Sequence, residues 1–123
     1  MEKTVALAIE ALEPEEATRL VCALALGLLR AVQDEAIDLE EAERLLFSPR
    51  TAHTLQHKGL GPELPQLILE CCELEDVLSL IPERFAHNVE AMAERFSSLL
   101  KGDAGYEERT RKKAGRVDLY VIR

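Results

Sequence analysis

The chain has 123 residues, of which 23 are acidic and 15 are basic, so its formal net charge at pH 7 is −8. This length is that of one domain, and a fold of this size needs neither a metal nor a disulfide. The charge argues against nucleic acid as the main partner, because phosphate binding requires a basic face. Residues 1–100 carry 19 acidic and 8 basic side chains, whereas residues 101–123 carry 4 and 7. The expected partner is therefore a protein, and a basic one.

The cysteines and the distribution of apolar residues predict a cellular location. Cys22, Cys71 and Cys72 are an odd number without a Cys-x-x-Cys pair, which is typical of a reducing compartment. The amino terminus does not show the pattern of a secretory leader. The longest uncharged stretch, residues 20–29, is about half of what spans a bilayer. We therefore expect a cytoplasmic protein without membrane contact.

The positions of proline, glycine and apolar residues predict a mainly α fold, a compact bundle of about five helices around a central apolar helix. The bundle forms a single helical domain over residues 1–123. Pro14 begins the first helix, residues 14–35, because proline is favoured in the first turn. Nearly every side chain between Leu20 and Val32 is apolar. We therefore expect this helix to be surrounded on most sides and to form the centre of the fold.

The second, third and fourth helices are expected at residues 39–47, 49–58 and 62–80. The second helix begins after Asp38, which has a glutamate three residues later and so resembles a capping box. The fourth carries a continuous apolar stripe. The sequence leaves open whether the fourth helix breaks near Glu73.

The last helix, residues 82–101, has the most regular apolar pattern. Its apolar residues step by four and three along one face: Phe85, Val89, Met92, Phe96 and Leu99. We expect this seam to lie in the core of a monomer. The alternative is that the seam packs against a second copy of the chain and forms a homodimer.

The two ends of the chain differ from the helices. Residues 116–123 are rich in β-branched and aromatic residues, which favours a terminal strand. A strand needs a partner, and the alternation in residues 4–9 fits either a strand or a helix. A small two-stranded ribbon that joins the termini is therefore one option. Residues 102–115 are expected to form a charged connector.

Two stretches carry a resemblance to a known family. They are residues 41–50, EAERLLFSPR, and residues 73–83, ELEDVLSLIPE. Together with the apolar first helix, they resemble a family of small bacterial proteins described only as a domain of unknown function, over residues 14–101. The resemblance implies a compact, mainly helical single domain, and it assigns no catalytic residue to this sequence.

The sequence predicts neither catalysis nor a cofactor. His53 and His57 lie four residues apart, but Thr54 stands where zinc hydrolases have a catalytic glutamate. A metal held by these two histidines, with His87 as a third ligand, is the rival hypothesis of an enzyme. The acidic run over residues 34–43 lacks the glycine and the ligand spacing of a calcium loop. We expect no enzyme activity, no metal and no cofactor.

These observations favour a non-enzymatic, acidic module that binds a protein. Immunity proteins and antitoxins use such a charge to neutralise basic nuclease toxins, and their association is fast and sensitive to salt. The candidate contacts are acidic residues in two runs, provided that packing brings the runs together: Asp34, Glu35, Asp38, Glu40, Glu41, Glu73, Glu75 and Asp76. One alternative is a regulatory or scaffold protein that binds through an apolar surface. Another is a homodimeric structural protein.

Overall fold

The computed structural model describes residues 6–8, 13–102 and 120–122, and within them the chain is mainly α, as predicted. These residues form six α-helices and a short 3-10 turn, Pro82–Arg84, before the last of them. The helices are α1 (Pro14–Gln33), α2 (Leu39–Leu45), α3 (Pro49–His57), α4 (Glu63–Cys71), α5 (Leu74–Leu80) and α6 (Phe85–Lys101).

Two strands of three residues lie near the ends of the chain. They are β1 (Ala6–Ala8) and β2 (Tyr120–Ile122), and they pair antiparallel with Leu7 opposite Val121. Both fall within segments for which the sequence allowed a strand. The connector expected over residues 102–115 lies outside the described residues except for Gly102, which follows the last residue of α6.

The core is built mainly between α1 and α6, which share the most extensive helix contact. On α6 the buried residues include Val89, Met92 and Phe96, and the facing stripe of α1 includes Ala25 and Leu29. The seam expected in the core therefore lies there, and its two end residues, Phe85 and Leu99, are half-buried. Two apolar stripes at helical spacing thus cover each other and remove their side chains from water.

A pair of phenylalanines connects this core to the short helices. Phe47, which follows α2, and Phe96 of α6 are both almost fully buried, and their ring centroids are 6.4 Å apart with planes tilted by 31°. Such tilted aromatic pairs are favourable beyond the apolar area that they bury. The chain after α2 is therefore attached to α6 through one of its largest side chains.

The expectation that α1 is surrounded on most sides is wrong. Ala23, Leu24 and Gly27 are exposed, because α1 packs against α6 and α2 along one face. Elsewhere in the described chain, α3 packs on α4, while α4 and α5 pack on α6. Apolar residues around a helix therefore did not indicate how many helices contact it.

The helix expected over residues 62–80 is divided into α4 and α5, so the bundle has six α-helices where about five were expected. The N–H of Glu73 donates to the carbonyl of Glu70, three residues earlier, at 3.0 Å. This 3-10 spacing ends the α-helical ladder of α4. The thiol of Cys72 also donates at this junction, to the carbonyls of Ile68 (3.3 Å) and Phe47 (3.5 Å). The division places Glu73 directly before α5, which carries the rest of the second acidic run.

Side-chain caps fix the start of α2 and of α3. Asp38 Oδ1 accepts a hydrogen bond from the N–H of Glu41 at 2.8 Å, so Asp38 is the N-cap of α2, as predicted. Ser48 Oγ accepts from the N–H of Thr51 at 3.2 Å and caps α3 in the same way. Because these bonds involve residues three apart, the sequence alone could identify them.

Candidate protein-binding surface

The two acidic runs meet through Glu43 of α2 and Glu75 of α5. Partial burial raises the pKa of the Glu43 carboxyl. The charge of Glu75, a side-chain hydrogen bond with Glu75 and the charge of Glu40 raise this pKa further. Two carboxyl groups interact in this way only when they lie side by side. The sequence could not establish whether packing brings the two acidic runs together. In the structure they are together, and the residue of the first run that makes the contact is Glu43.

A second interaction places the junction between α4 and α5 at the same surface. Burial raises the pKa of the Cys72 thiol, and the charge of Glu43 is the next cause. The charge of Glu73 also acts on this thiol. Glu73 is exposed and directly precedes α5. We call the set of carboxyl groups at this place the acidic surface: Glu40, Glu43, Glu73, Glu75 and Asp76.

Basic side chains are scarce on the two helices that carry the acidic surface. Two carboxylates elsewhere have cationic partners: Arg30 pairs with Glu90 at 3.0 Å, and Arg95 pairs with Glu70 at 2.6 Å. On α5 no residue is basic, and α2 has one basic residue, the exposed Arg44 in its last turn. Like charges that lie close together favour a cation at the same place. The acidic surface can therefore accept lysine or arginine side chains.

Three of the predicted contact residues serve the connection between α1 and α2. Asp34 follows α1 and donates its N–H to the carbonyl of Arg30 at 3.0 Å. Glu35 adopts a left-handed backbone conformation with φ 59°. Asp38 uses its carboxylate to cap α2. Local structure thus explains the carboxylate of Asp38 without a partner, whereas neither the backbone bond of Asp34 nor the backbone conformation of Glu35 requires an acidic side chain.

The other five predicted residues lie on the two acidic helices or at the start of α5. Glu40 and Glu41 are in the first turn of α2, the former exposed and the latter half-buried. Glu75 and Asp76 are exposed in the first turn of α5, and Glu73 precedes them. Acidic side chains in a first turn also interact favourably with the helix dipole. These residues therefore have a structural role as well as a position from which a partner can be reached.

Glu43 is the residue of this surface that the sequence analysis did not select. It belongs to the acidic run, and it lies three residues after Glu40 and four after the buried Leu39. This spacing places Glu43 beside the buried face of α2. Helical spacing could therefore have singled out Glu43 as the carboxylate nearest to another element, although its partner on α5 depends on the fold.

The comparisons with known proteins identify a family. The family model described as "Protein of unknown function (DUF3969)" matches residues 12–114. The chain belongs to this family. The resemblance over residues 14–101 is therefore confirmed as one to a domain of unknown function, and the match extends beyond both ends of that range. No curated protein and no solved structure matches the chain.

The cysteines of this family member do not have the properties of nucleophiles. Burial raises the pKa of Cys22 to about 11 and that of Cys71 to about 12, so both thiols are protonated at neutral pH. A thiolate, not a thiol, is the reactive form. Cys22 and Cys71 are better described as small apolar residues of the core.

Two of the histidines in the metal hypothesis are on α3, and the third, the exposed His87, is on α6. His53 and His57 are exposed, and their rings are stacked with centroids 6.4 Å apart. Over residues 13–102, no three or more His, Cys, Asp or Glu side chains come together in a group that could hold a metal ion.

Within the described part of the chain, no helix combines the length and the apolar character needed to cross a membrane.

Proposed function

We propose that the protein is a non-enzymatic module that binds a basic protein partner through the acidic surface of α2 and α5. The observation that carries the proposal is the contact between Glu43 and Glu75, which joins two acidic runs that are separate in sequence. Without this contact, each run would be an ordinary solvated helix face. With it, several carboxylates lie within reach of one partner.

Electrostatics supports this surface as a site of association. The charges of Glu75 and Glu40 raise the pKa of the Glu43 carboxyl, which indicates that like charges lie close together at this surface. A lysine or arginine placed among them would gain attraction from more than one carboxylate at once. The acidic body of the chain would also steer a basic partner toward it and so increase the association rate.

The partner class that fits best is a basic enzyme that acts on nucleic acid, such as a nuclease toxin. A nuclease must attract phosphate, so its active surface is basic, and an acidic protein can occupy that surface. In this role the chain would act as an immunity or antitoxin-like protein in the cytoplasm. The acidic surface would then compete with nucleic acid for the same basic residues.

The chain would bind its partner as a monomer. Val89, Met92 and Phe96 are buried within one chain, which supports a core role for the α6 seam over a homodimer formed through it. The buried thiols also support a non-enzymatic role, because Cys22 and Cys71 hold their protons well above neutral pH.

The test is to isolate the partner with the immobilised full chain and then to measure the dissociation constant against salt concentration. We expect Glu75→Lys to weaken binding by about tenfold or more at low salt, because it places a cation where the partner's cation binds. The matched control is Glu94→Lys, which makes the same charge change at an exposed position of α6. The control should change the affinity by less than about twofold.

Salt provides the second arm of the experiment. Raising the ionic strength tenfold should weaken binding of the wild-type chain, since screening shortens the reach of exposed charges. A partner whose affinity is unchanged by both Glu75→Lys and salt would falsify the electrostatic mechanism. Equal losses for Glu75→Lys and Glu94→Lys would show that only net charge matters and would remove the assignment to α2 and α5.

A further inference from the structure

The carboxyl-terminal end of α5 exposes a group of large apolar side chains. Leu78, Leu80 and Ile81 are 43%, 77% and 40% exposed, and they lie within four consecutive positions. The other exposed large apolar residues of the described chain are Leu24, Leu45 and Leu69, each on a different helix. We call the group of Leu78, Leu80 and Ile81 the apolar ledge.

The fold gives this segment little reason to be apolar. In the described structure Leu74 is buried and Val77 is half-buried, and these two residues attach α5 to the rest of the bundle. The ledge residues that follow face water, although polar side chains would serve the same helix at lower cost. Exposed apolar side chains that occur singly need no explanation, but a contiguous group is typical of an interaction site.

The charged side chains next to the apolar ledge are mainly acidic. Glu75 lies three residues before Leu78, and Asp76 lies four residues before Leu80, so each carboxylate shares a helix face with a ledge residue. Glu83 follows in the 3-10 turn and is itself followed by the exposed Arg84. The ledge is therefore an apolar centre with a border that is mainly acidic, and the border is continuous with the acidic surface through Glu75.

The border determines what can cover the ledge. A second copy of the chain would bring two acidic borders together, which is unfavourable. An anionic lipid surface would be repelled for the same reason. A helix with one apolar stripe and lysine or arginine on both sides of it would match the centre and the border at once.

We propose that the apolar ledge and its acidic border bind a cationic amphipathic helix of another protein. This inference rests on the proposed function, and it names the kind of segment that the basic partner presents. Leu78, Leu80 and Ile81 supply the apolar contact, and Glu75 and Asp76 select the charge of the segment. Affinity then depends on the apolar contact as well as on the charges, and the charges also steer the segment toward the surface.

The test uses two synthetic peptides of identical leucine and lysine composition. In one peptide the leucines recur at helical spacing and form a stripe, and in the other they are distributed so that no stripe exists. Fluorescence anisotropy measures the binding of each peptide to the full chain. We expect the striped peptide to bind about tenfold more tightly or better, as burial of a single large apolar side chain is sufficient for such a ratio.

Matched protein variants locate the contact. Leu78→Ser and Leu24→Ser remove leucines of nearly equal exposure, 43% and 42%, from α5 and from α1. We expect Leu78→Ser to weaken binding of the striped peptide by about threefold or more. Leu24→Ser should leave the affinity for this peptide unchanged. Circular dichroism confirms that each variant is folded. Amide chemical shifts in the wild-type chain should change around residues 75–83 on addition of the striped peptide.

The outcomes separate this inference from the proposed function. Equal binding of both peptides, weakened by Glu75→Lys but not by Leu78→Ser, would retain the acidic surface and overturn the role of the ledge. Failure of both peptides to bind at low salt would overturn this inference, whereas the proposed function is overturned only by its own test with the isolated partner. A dimer seen by analytical ultracentrifugation that dissociates in Leu80→Ser would assign the ledge to a second copy of the chain and overturn the inference.

Discussion

The pair formed by α1 and α6 differs from the surface formed by α2 and α5 in almost every physical respect. The pair consists of helices of 20 and 17 residues that bury apolar stripes against each other. It is also held by a hydrogen bond from Arg19 Nη1 to the carbonyl of Leu100, at 2.7 Å. The helices α2 and α5 have seven residues each. Each buries its first leucine, Leu39 or Leu74, whereas most of their charges and the leucines near their carboxyl-terminal ends face water.

This difference indicates which part of the chain is shaped by folding and which part is available for binding. A long helix pair gains stability from apolar burial, and its sequence is constrained by packing. A short helix gains little stability by itself, and its exposed acidic side chains add to that stability only through the modest interaction with the helix dipole. The acidic surface and the apolar ledge both lie on such short helices, and the proposals of partner binding concern them for that reason.

The largest expected effect belongs to the core. Phe96→Ala should lower the free energy of unfolding by about 3–5 kcal/mol, because it removes a fully buried ring and leaves a cavity beside Phe47. Urea unfolding followed by circular dichroism measures the change. Phe85→Ala, at the half-buried end of the same seam, should cost clearly less.

The same variant also tests the oligomeric state. If the seam packed against a second copy, Phe96→Ala would convert a dimer into a folded monomer in analytical ultracentrifugation. We expect instead a monomer of reduced stability. A change in stability of less than about 1 kcal/mol for Phe96→Ala would contradict the assignment of this ring to the core.

The parts of the fold that the sequence predicted depend on neighbours along the chain. Pro14 begins α1 and Asp38 caps α2 because these roles involve residues within one turn. The seam of α6 was recognisable because a repeat of four and three identifies a buried helix face without reference to the partner. These features are local, so no knowledge of the packing was needed.

The parts that were missed depend on contacts between distant residues. The apolar residues of α1 do not indicate that Leu24 faces water, since that depends on where α6 and α2 lie. The contact between Glu43 and Glu75 joins residues that are 32 positions apart. The acidic character of the candidate site was thus predictable, whereas its assembly from two helices was not.

A smaller effect is expected for the cap of α2. Asp38→Ala should lower the free energy of unfolding by about 1 kcal/mol, because the N–H of Glu41 loses its acceptor. Asp38→Asn keeps an acceptor oxygen while removing the charge, so it should retain most of the stability. Thermal unfolding of both variants measures the difference between them.

Asp38→Asn also distinguishes carboxylates that stabilise the fold from carboxylates that bind the partner. Asp38→Asn should leave partner affinity nearly unchanged, since the carboxylate of Asp38 already serves the backbone. Glu75→Gln should weaken binding of the partner, because Glu75 belongs to the acidic surface. Equal effects of the two substitutions on binding would place the α1–α2 connection inside the interface.

The smallest expected effect is the dependence of stability on the ionisation of Glu43. Its pKa in the folded chain is raised above the ordinary value of 4.5, first by burial and then by Glu75. The folded state therefore holds this proton more tightly than the unfolded state. The stability that protonated Glu43 contributes is fully present below the pKa of the unfolded state. This stability is lost as the pH rises through the pKa of the folded state. Glu43 is unfavourable in its ionised form, so Glu43→Gln should stabilise the chain at neutral pH.

The gain from Glu43→Gln should be no more than about 0.5 kcal/mol, because a carboxylate that is only partly buried is still screened by water. Urea unfolding at a series of pH values from below the ordinary pKa of Glu43 to neutrality measures it, with Glu94→Gln as the control at an exposed position of α6. The advantage of Glu43→Gln over the wild type should decrease as the pH falls, and Glu75→Gln should reproduce part of it by removing the same repulsion. A difference in stability between Glu43→Gln and the wild type that is the same at every pH would mean that Glu43 and Glu75 do not interact. The contact between the two acidic runs would then be contradicted.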